Sequence, residues 1–316
     1  MGGKLTETVV ADDAGIERAA AILCAGGLVA VPTETVYGLA ARADRDEAVA
    51  GIYRAKGRPD FNPLIVHVLG QAEAAALADF GHPASLVMDA CWPGPLTLVL
   101  PRRPDAPLAP AVTAGLSTVA VRAPAHPVMR SLLQRTGLPL AAPSANRSQG
   151  ISPTRAEHVE ASLSGRIDLI LDAGASECGL ESTILAIRED GRWEVLRPGP
   201  IDADALHRRH FDKPLTSAPG SGSIEAPGQM ARHYSPGKPM RLGAREARDD
   251  EFIIGFGQVT GDCSLSAGGD LALAAARLYA CLHEAAASAR PRIAVAPVPD
   301  EGIGRAINDR LRRAAA

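Results

Sequence analysis

The sequence predicts an α/β protein in which a twisted mixed sheet with flanking helices is followed by a smaller α/β unit. Short apolar runs bounded by Gly and Pro alternate with amphipathic, helix-like runs over the first two thirds of the chain, which is typical of α/β folds. Several of the apolar runs are separated by Pro-rich loops instead of helices, which favours a mixed sheet over a doubly wound parallel one. The alternation fails over residues 201–236 and then resumes, so a second unit is expected at the end of the chain.

The strands of the first unit are predicted where a short apolar run has Gly or Pro near its ends. They cover residues 28–31, 64–68, 96–100, 118–122, 138–142, 167–171 and 183–187. Amphipathic spacing predicts helices at residues 14–25, 47–55, 127–134 and 154–162. The first helix has Asp12 or Asp13 as its N-cap and Gly26 and Gly27 as its stop signal.

Three segments are predicted along the chain: a large domain at 1–205, a linker at 206–237 and a small α/β domain at 238–316. Residues 214–228 are rich in Pro, Gly and Ser, which is typical of a linker. The small domain is expected to contain strands at 251–256 and 292–295 and helices at 271–287 and 303–313.

Composition and missing motifs exclude several classes of protein. The 33 Lys and Arg against 36 Asp and Glu give a formal charge of −3, and 3% of the residues are aromatic; neither value suits a surface that clamps or stacks nucleic acid. The five cysteines form no CxxC pair, so no disulfide framework and no protein metal site are expected. The chain has no P-loop, HExxH or GxSxG motif and no apolar run of ~20 residues. We expect a soluble cytoplasmic protein that has no contact with membranes.

Basic residues concentrate in one part of the chain. Between residues 90 and 156 there are seven Arg and one acidic residue, and Arg54, Lys56 and Arg58 lie just upstream at the end of a predicted helix. If the fold brings these side chains to one face, they form a concave anion site that attracts a polyphosphate. The alternative is a solvated helix end together with scattered surface arginines.

Two loops follow predicted strands and carry small polar side chains. Residues 32–38 form a hydroxyl-rich turn, and residues 143–150 are followed by Ser152 ahead of a helix. Hydroxyl and amide groups at strand ends and before a helix N-terminus suit phosphate and ribose, although they also suit ordinary Asx and Ser turns. His67 lies in the apolar run 64–68, and a buried imidazole needs either a structural partner or a ligand.

Seven motifs in order resemble the YrdC-like domain of the threonylcarbamoyl-AMP synthase family. They are residues 32–39 (PTETVYGL), 56–67, 92–97, 119–124, 142–146, 181–184 (ESTI) and 196–199. Residues 226–236, with the sequence APGQMARHYSP, and residues 302–313 resemble the linker and the ending of the long, two-domain form of the family. The resemblance therefore implies a YrdC-like catalytic domain with a concave basic pocket, a linker that acts as a lid, and a Rossmann-like C-terminal domain.

The resemblance also implies a nucleotidyltransferase reaction. In this family L-threonine, bicarbonate or CO2, and ATP give threonylcarbamoyl-AMP (an L-threonylcarbamoyladenylate) and pyrophosphate. The product serves the formation of threonylcarbamoyladenosine (t6A) in tRNA by downstream threonylcarbamoyl-transfer proteins, and this step needs no bound tRNA. Mg2+ is implied by the triphosphate and not by any ligand cluster in the sequence.

The family's functional residues carry over to matching positions of this chain. For catalysis these are Lys56, Arg58, Ser144 and Asn146. For ATP they are Arg58, Asn62, Thr118, Ser144, Ser152, Arg197 and Tyr234, with Lys56 and Asn146 beside them. For L-threonine they are Thr35, His67, Arg122, Ala142 through its backbone, and Ser182. Arginine forks suit phosphates and carboxylates, so Arg122 is expected to take the carboxylate of threonine.

Two alternative functions stay open at the level of the sequence. Hydrogenase-maturation carbamoyltransferases have a similar domain and make a carbamoyl-adenylate from carbamoyl phosphate, but they also carry Cys-pair zinc modules, and this chain has no CxxC. An RNA-binding or ribosome-maturation module could use the basic concavity to read double-stranded RNA, although the local charge of +6 is offset elsewhere in the chain.

Overall fold

The structure is a computed structural model that describes residues 5–188, 192–210, 225–229 and 233–316, without the side chains of residues 209 and 210. Two sheets organise these residues. The first sheet has ten strands and mixes parallel and antiparallel neighbours in the order β1-β8-β2-β3-β7-β4-β6-β5-β9-β10. Its strands are β1 (Glu7–Val10), β2 (Val29–Val31), β3 (Gly38–Arg42), β4 (Ile65–His67), β5 (Leu96–Pro101), β6 (Thr118–Arg122), β7 (Leu140–Ala141), β8 (Leu169–Asp172), β9 (Thr183–Ile187) and β10 (Trp193–Arg197).

Helices flank this sheet and bury its apolar faces. They are α1 (Asp13–Cys24), α2 (Asp46–Lys56), α3 (Gln71–Ala74), α4 (His82–Cys91), α5 (Pro110–Thr113), α6 (Pro127–Thr136), α7 (Ala156–Leu163) and α8 (Ala203–His210). Helix α1 begins where the Asp12 carboxylate accepts a hydrogen bond from the Gly15 amide at 2.8 Å, as an N-cap does. Helix α2 ends at Gly57, whose φ of 60° is a left-handed conformation that glycine adopts readily.

The second sheet is entirely parallel, with the order β11-β14-β12-β13. Its elements are β11 (Met240–Leu242), β12 (Glu251–Gly255), β13 (Cys263–Ser264), α9 (Leu271–Ala287), β14 (Arg292–Val295) and α10 (Gly304–Ala315). The core of this unit also takes in Val36, Ile151, Leu180 and Tyr234 from outside it. The two units therefore share buried apolar contacts, and the predicted mixed sheet followed by a small α/β unit is confirmed.

Several elements were not predicted from the sequence. They are β1, β3, β10, β11, β13 and the helices α3, α4, α5 and α8. Residues 203–210, where the alternation fails in the sequence, form helix α8. Leu206 packs into the large core, and the His207 ring meets the Trp193 ring edge-on at 5.9 Å. Most of the predicted linker stretch 214–228 lies outside the described residues, and 225–228 are described. Among the described helices, none has the length and apolar character to cross a membrane.

Candidate functional site

A cavity lies at the ends of the central strands of the large sheet. The parallel pairing of β4 with β6 puts His67 beside Arg122, and β7, which pairs with β4, ends just before Ala142. The loops after β2 and β7, the start of β9 and two pieces of the linker complete the walls. The lining residues are Thr33, Thr35, Val36, Gly38, Arg58, Ile65, His67, Arg122, Ala142, Pro143, Ser144, Glu181, Ser182, Arg197, Pro227, Gly228, His233 and Tyr234.

Arg122 anchors one end of the cavity through a buried ion pair. Its Nη2 donates to Glu34 Oε1 at 2.6 Å and its Nη1 to Thr35 Oγ1 at 2.9 Å, while its Nε donates to the Gly94 carbonyl at 3.2 Å. Burial raises the pKa of the Glu34 carboxyl, but the charge and hydrogen bond of Arg122 outweigh burial and hold that pKa below its usual range. A guanidinium has five N–H donors, so these bonds leave two of them for a ligand.

His67 is buried beside Arg122 and is held neutral. Burial, reinforced by the nearby Arg122 charge, lowers the pKa of His67 to about 3, because a charged imidazole is costly without solvent. Its Nδ1 atom has no hydrogen-bond partner. A neutral imidazole with a free nitrogen can accept or donate one hydrogen bond to a small polar ligand.

Arg58 and Arg197 are two further buried cations among the residues that line the cavity. Arg58 donates to the Asn62 carbonyl at 3.1 Å, to Asn62 Oδ1 at 2.6 Å and to the Pro63 carbonyl at 2.8 Å. Arg197 donates to the Ser182 carbonyl at 3.1 Å, to Ser182 Oγ at 3.1 Å and to the Pro227 carbonyl at 3.3 Å. Burial lowers the pKa of both side chains, and with a pKa of about 10 Arg58 remains cationic at neutral pH. Each guanidinium uses three of its five N–H donors in these bonds and retains two for a ligand.

Lys56 supports a loop of the cavity wall and does not line the cavity itself. Its Nζ donates to the carbonyls of Ser144 and Asn146, each at 2.5 Å, and burial lowers its pKa well below the usual value. The Asn146 amide group donates to the carbonyls of Arg147 at 2.8 Å and Gly150 at 2.9 Å. The Lys56 amino group and the Asn146 amide together fix the backbone of residues 144–150.

Glu181 is the one carboxylate among the residues that line the cavity. Its Oε1 accepts from Ser152 Oγ at 2.5 Å, and its Oε2 accepts from Tyr279 at 2.9 Å and from Arg310 Nε at 2.9 Å. Burial alone would raise the pKa of Glu181, but the charges of Arg310 and Arg197 hold it at about 2. Glu181 is therefore ionised, and residues of both units bind it.

Two parts of the linker close the cavity. Ala226 is fully buried against Ile65, Ala120 and Ile184 on the face of the sheet. At Gly228, which has a φ of 87°, a side chain would come within 3.0 Å of Arg197 Cδ and 3.2 Å of the Tyr234 hydroxyl. Ser235 N donates to the Gln149 carbonyl at 2.8 Å. The space left free is about 40 Å³, whereas pockets for small molecules measure ~300–1,000 Å³.

Buried polar atoms without a hydrogen-bond partner gather around this cavity. Five such atoms belong to lining residues or to residues bonded to them, namely Glu34 Oε2, His67 Nδ1, His233 Nδ1, Tyr234 OH and Arg310 Nη2. Asn146 Oδ1, in the loop that Lys56 holds, is a further example. Native proteins leave few such atoms, so their concentration in one place indicates a site that receives a polar ligand.

The fold brings most of the predicted site residues to this cavity. Those that line it are Thr35, Arg58, His67, Arg122, Ala142, Ser144, Ser182, Arg197 and Tyr234. Those that do not line it are Lys56, Asn62, Thr118, Asn146 and Ser152. Asn62 binds Arg58, Ser152 binds Glu181, and Thr118 begins β6 on the same face as Arg122 four residues later.

The sequence left open whether the seven arginines of residues 90–156 gather on one face, and the structure shows that they do not. Arg122 lines the cavity, but Arg103 pairs with Asp79 and Asp105 at the surface, and Arg135 pairs with Asp13 and Glu17. The other cavity arginines, Arg58 and Arg197, come from outside that stretch. Local charge density along the sequence could not show which side chains face inward.

Sequence reasoning did not select four groups at the site: Glu34, Glu181, His233 and Arg310. Glu34 and Glu181 lie inside two of the motifs that resemble the family's. An acidic residue within a motif of a largely basic pocket was the signal that could have pointed to both. His233 donates its backbone N–H to the Arg313 carbonyl at 3.2 Å. Arg310 lies in the last helix, and nothing in its local sequence distinguishes it from its arginine neighbours.

The described residues do not offer a protein site for Mg2+. Among them no group of three or more His, Cys, Asp or Glu side chains could hold a metal ion. Both oxygens of Glu181 already accept hydrogen bonds, whereas Mg2+ demands a near-octahedral set of free oxygen ligands.

Fold and site together define a class: a two-unit α/β protein with a buried cationic cavity for a small anionic or zwitterionic ligand. The family model described as "Telomere recombination" matches residues 21–199. The model described as "Threonylcarbamoyl-AMP synthase, C-terminal domain" matches residues 201–316. The chain belongs to the threonylcarbamoyl-AMP synthase family.

Relatives and solved structures agree with this assignment. Threonylcarbamoyl-AMP synthase of Bacillus subtilis is 39% identical over 98% of this chain and 96% of its own length, and that of Pyrococcus abyssi is 36% identical over 95% and 93%. The crystal structure of P. abyssi Sua5 complexed with L-threonine has a TM-score of 0.88 at 33% identity and covers 98% of this chain and 97% of the other. Full-length HypF, at 21% identity and a TM-score of 0.52 over 58% of this chain and 28% of its own, shares the fold of that part alone.

Proposed function

We propose that this chain is an enzyme that condenses L-threonine, bicarbonate or CO2, and ATP to threonylcarbamoyl-AMP and pyrophosphate. The observation that carries this proposal is the cavity, where three buried arginines each keep two N–H groups free beside unpartnered polar atoms. Membership in the threonylcarbamoyl-AMP synthase family supports the reaction.

The reaction has two bond-forming steps. The neutral amine of threonine attacks CO2, giving a carbamate and releasing one proton; with bicarbonate as the source, one water is released instead of the proton. A carbamate oxygen then attacks the α-phosphorus of ATP, and the bond from that phosphorus to the bridging oxygen breaks as pyrophosphate leaves. Positioning and charge neutralisation carry both steps, and proximity alone can supply ~7–11 kcal/mol.

Arg58 and Arg197 are proposed to bind the triphosphate with their free N–H groups. Asn62 orients the Arg58 guanidinium through its Oδ1 atom at 2.6 Å, which favours one fixed fork geometry. The apolar face formed by Ile65, Ala120 and Ile184, now under Ala226, is proposed for the adenine. Thr118, Ser152 and Tyr234 border this region in our proposal and contact the nucleotide.

Arg122 and His67 are proposed to bind L-threonine at the other end. The two free N–H groups of Arg122 suit a carboxylate, and the neutral His67 ring, with a pKa of about 3, can accept a hydrogen bond. Thr35, Ser182 and the Ala142 backbone complete this end. Thr35 is already oriented, because its hydroxyl accepts from Arg122 at 2.9 Å.

Lys56, Ser144 and Asn146 are proposed to act together as one unit. Lys56 holds the two carbonyls at 2.5 Å, so its contribution comes through the shape of loop 144–150. Ser144 lines the cavity and presents the polar surface of this loop to the reacting groups. Lys56 is in this view a positioning residue.

The linker is proposed to cover the site, between a catalytic domain at 1–205 and a second domain at 238–316. With about 40 Å³ free, the cavity cannot hold ATP while Ala226, Gly228 and Tyr234 keep their positions. These residues must move to admit ATP and can then shield the labile carbamate from water. A cytoplasmic location and transfer of the product to a downstream tRNA-modifying system complete the proposal.

Pyrophosphate release from ATP tests the function. We expect release that requires both threonine and bicarbonate, with a mass matching threonylcarbamoyl-AMP in the product. Release that depends on carbamoyl phosphate instead would favour a carbamoyltransferase. No turnover, together with tight binding of double-stranded RNA, would favour an RNA-binding module and overturn the proposal.

A further inference from the structure

We propose that Arg310, in the last helix of the chain, is a positioning residue of the ATP site that neutralises Glu181 and so keeps the cavity electropositive. The inference rests on the proposed function in one respect, that the cavity receives ATP. It assigns to the second domain a direct electrostatic part in substrate binding, in addition to its part in covering the site.

Arg310 is completely buried although it belongs to a helix near the surface of the second unit. Its Nε donates to Glu181 Oε2 at 2.9 Å, and its Nη1 donates to Asp309 Oδ2 at 2.8 Å. Its guanidinium carbon lies 5.4 Å from the centroid of the Tyr234 ring. Arg310 thus contacts Glu181 and Tyr234, which both line the cavity.

The second unit holds Glu181 from two helices. Tyr279 in α9 donates to Glu181 Oε2 at 2.9 Å and lies 3.1 Å from Oε1, while Arg310 in α10 supplies the charge. Ser152, a residue of the proposed ATP site, donates to Oε1 at 2.5 Å. His283, also in α9, lies 3.2 Å from the Ser152 carbonyl through Nε2. The second unit therefore contacts Ser152 directly through His283, and it also holds Glu181, the hydrogen-bond partner of Ser152.

The charge balance explains why this pair is needed. A carboxylate that lines a cavity for a polyphosphate repels its ligand, and in a poorly solvated site the repulsion is weakly screened. Arg197 is the other cation near Glu181, but its free donors are those proposed for the phosphates. Arg310 supplies the compensating charge from helix α10. It is not among the residues that line the cavity, so it does not occupy ligand space.

The second unit and the linker each carry an unsatisfied group in this region. Arg310 Nη2 and the Tyr234 hydroxyl are both buried without a hydrogen-bond partner. A guanidinium used only to join two domains would be expected to satisfy its donors. The free donor links Arg310 to the incomplete polar environment of the cavity, like the unpartnered atoms of Glu34 and His67.

The test compares Arg310→Met with the double variant Arg310→Met/Glu181→Gln. Met removes the charge that balances Glu181, so we expect KM for ATP to rise at least about tenfold, with a smaller change in KM for threonine. The double variant removes both charges, and we expect it to recover most of the affinity for ATP. Arg305→Met is the matched control, because Arg305 lies in the same helix in an exposed pair with Asp204, and its KM for ATP should stay at the wild-type value.

The outcomes separate this inference from the proposed function. If Arg310→Met lowers Tm but the folded protein keeps the wild-type KM for ATP, Arg310 is merely structural and the inference fails. If the double variant is as impaired as the single one, Arg310 does not act through Glu181 and the inference also fails. If the wild type shows no threonine-dependent turnover, the proposed function fails, and calorimetric ATP binding by the same variants then decides the role of Arg310.

Discussion

At the scale of single residues, the site consists of buried arginines that are only partly satisfied by the protein. Arg58, Arg122 and Arg197 each spend three N–H groups on carbonyl, hydroxyl or carboxylate oxygens. These bonds fix each fork before a ligand arrives, which reduces the entropy lost on binding. The two donors that remain on each fork are then available in a defined direction.

Arg122→Lys tests whether that fork recognises threonine. Lysine keeps the charge that Glu34 needs, 2.6 Å away in the wild type, but it cannot offer two parallel N–H bonds to a carboxylate. We expect KM for threonine to rise about 10- to 100-fold and KM for ATP to change much less, as measured by pyrophosphate release at varied threonine.

Arg130→Lys is the control for this substitution. Arg130 belongs to the same arginine-rich stretch, but it donates to the Leu69 and Pro124 carbonyls away from the cavity, so the threonine requirement should not change. A folded Arg122→Lys protein with the wild-type KM for threonine would remove Arg122 from the threonine site.

At the scale of elements, the strands and helices with strong periodicity were predicted closely and the others were not. Strands β6 and β9 and helix α9 have the bounds that apolar periodicity predicted. Strand β3, with the sequence GLAAR, has none of the β-branched or aromatic residues that mark strands, and it becomes a strand because β2 and β7 pair with it on both sides. Tertiary pairing decided its structure, and no local signal could.

The site residues also divide into those that the sequence predicted and those that only tertiary packing reveals. Arg122 and His67 were found because they lie in motifs that resemble the family's, and the structure places them side by side at the ends of β4 and β6. Lys56 was expected at the phosphates, yet it binds the carbonyls of Ser144 and Asn146. Arg310 reaches Glu181 across 129 positions of sequence, a contact that only the packing of the two units creates.

Gly228→Val tests the proposal that the linker segment must leave its present position to admit ATP. Valine at a φ of 87° is strained, and its Cβ would press on Arg197 and the Tyr234 hydroxyl. The closed position then becomes less favourable, and the Pro227 carbonyl releases the Arg197 N–H that it now holds at 3.3 Å. We expect ATP to bind about 3- to 10-fold more tightly by calorimetry.

Gly237→Val provides the matched control. Gly237 also has a positive φ, of 75°, but a side chain there would meet no atom within 4 Å, so it adds the same kind of backbone strain outside the cavity. Its affinity for ATP should equal that of the wild type. Unchanged or weaker ATP binding in a folded Gly228→Val protein would contradict competition between the linker and ATP.

At the scale of the whole molecule, the two units are joined by polar groups of the site as well as by apolar packing. Tyr234 lies in the core of the second unit and stacks on Tyr279 at 5.5 Å, yet it also lines the cavity. Glu181 belongs to the first unit, but Tyr279 and Arg310 of the second bind it. Stability of the assembly and competence of the site therefore depend on the same contacts.

This shared dependence predicts a specific response to acid. The pKa of Glu181 is about 2 in the folded protein, below the ~4.3 of a solvated glutamate, so the folded state favours the ionised form. Its stabilising contribution is complete above pH ~4.3 and is lost as the pH falls toward 2. Glu181→Gln lacks this titration. We therefore expect the wild type to be more stable than Glu181→Gln at pH 7 and to have the higher Tm. The difference in the free energy of unfolding is expected to be on the order of 2 kcal/mol and to close between pH 5 and pH 2.

Thermal unfolding of both proteins across this pH range measures the effect. Asp204→Asn is the control, since Asp204 holds Arg305 in an exposed pair between the same two units, and exposed pairs contribute ~0–1 kcal/mol. Its Tm should follow that of the wild type at every pH. A Tm difference between wild type and Glu181→Gln that stays constant down to pH 2 would mean that Glu181 joins the two units through its shape alone, because a neutral carboxyl would then serve as well as the charged one.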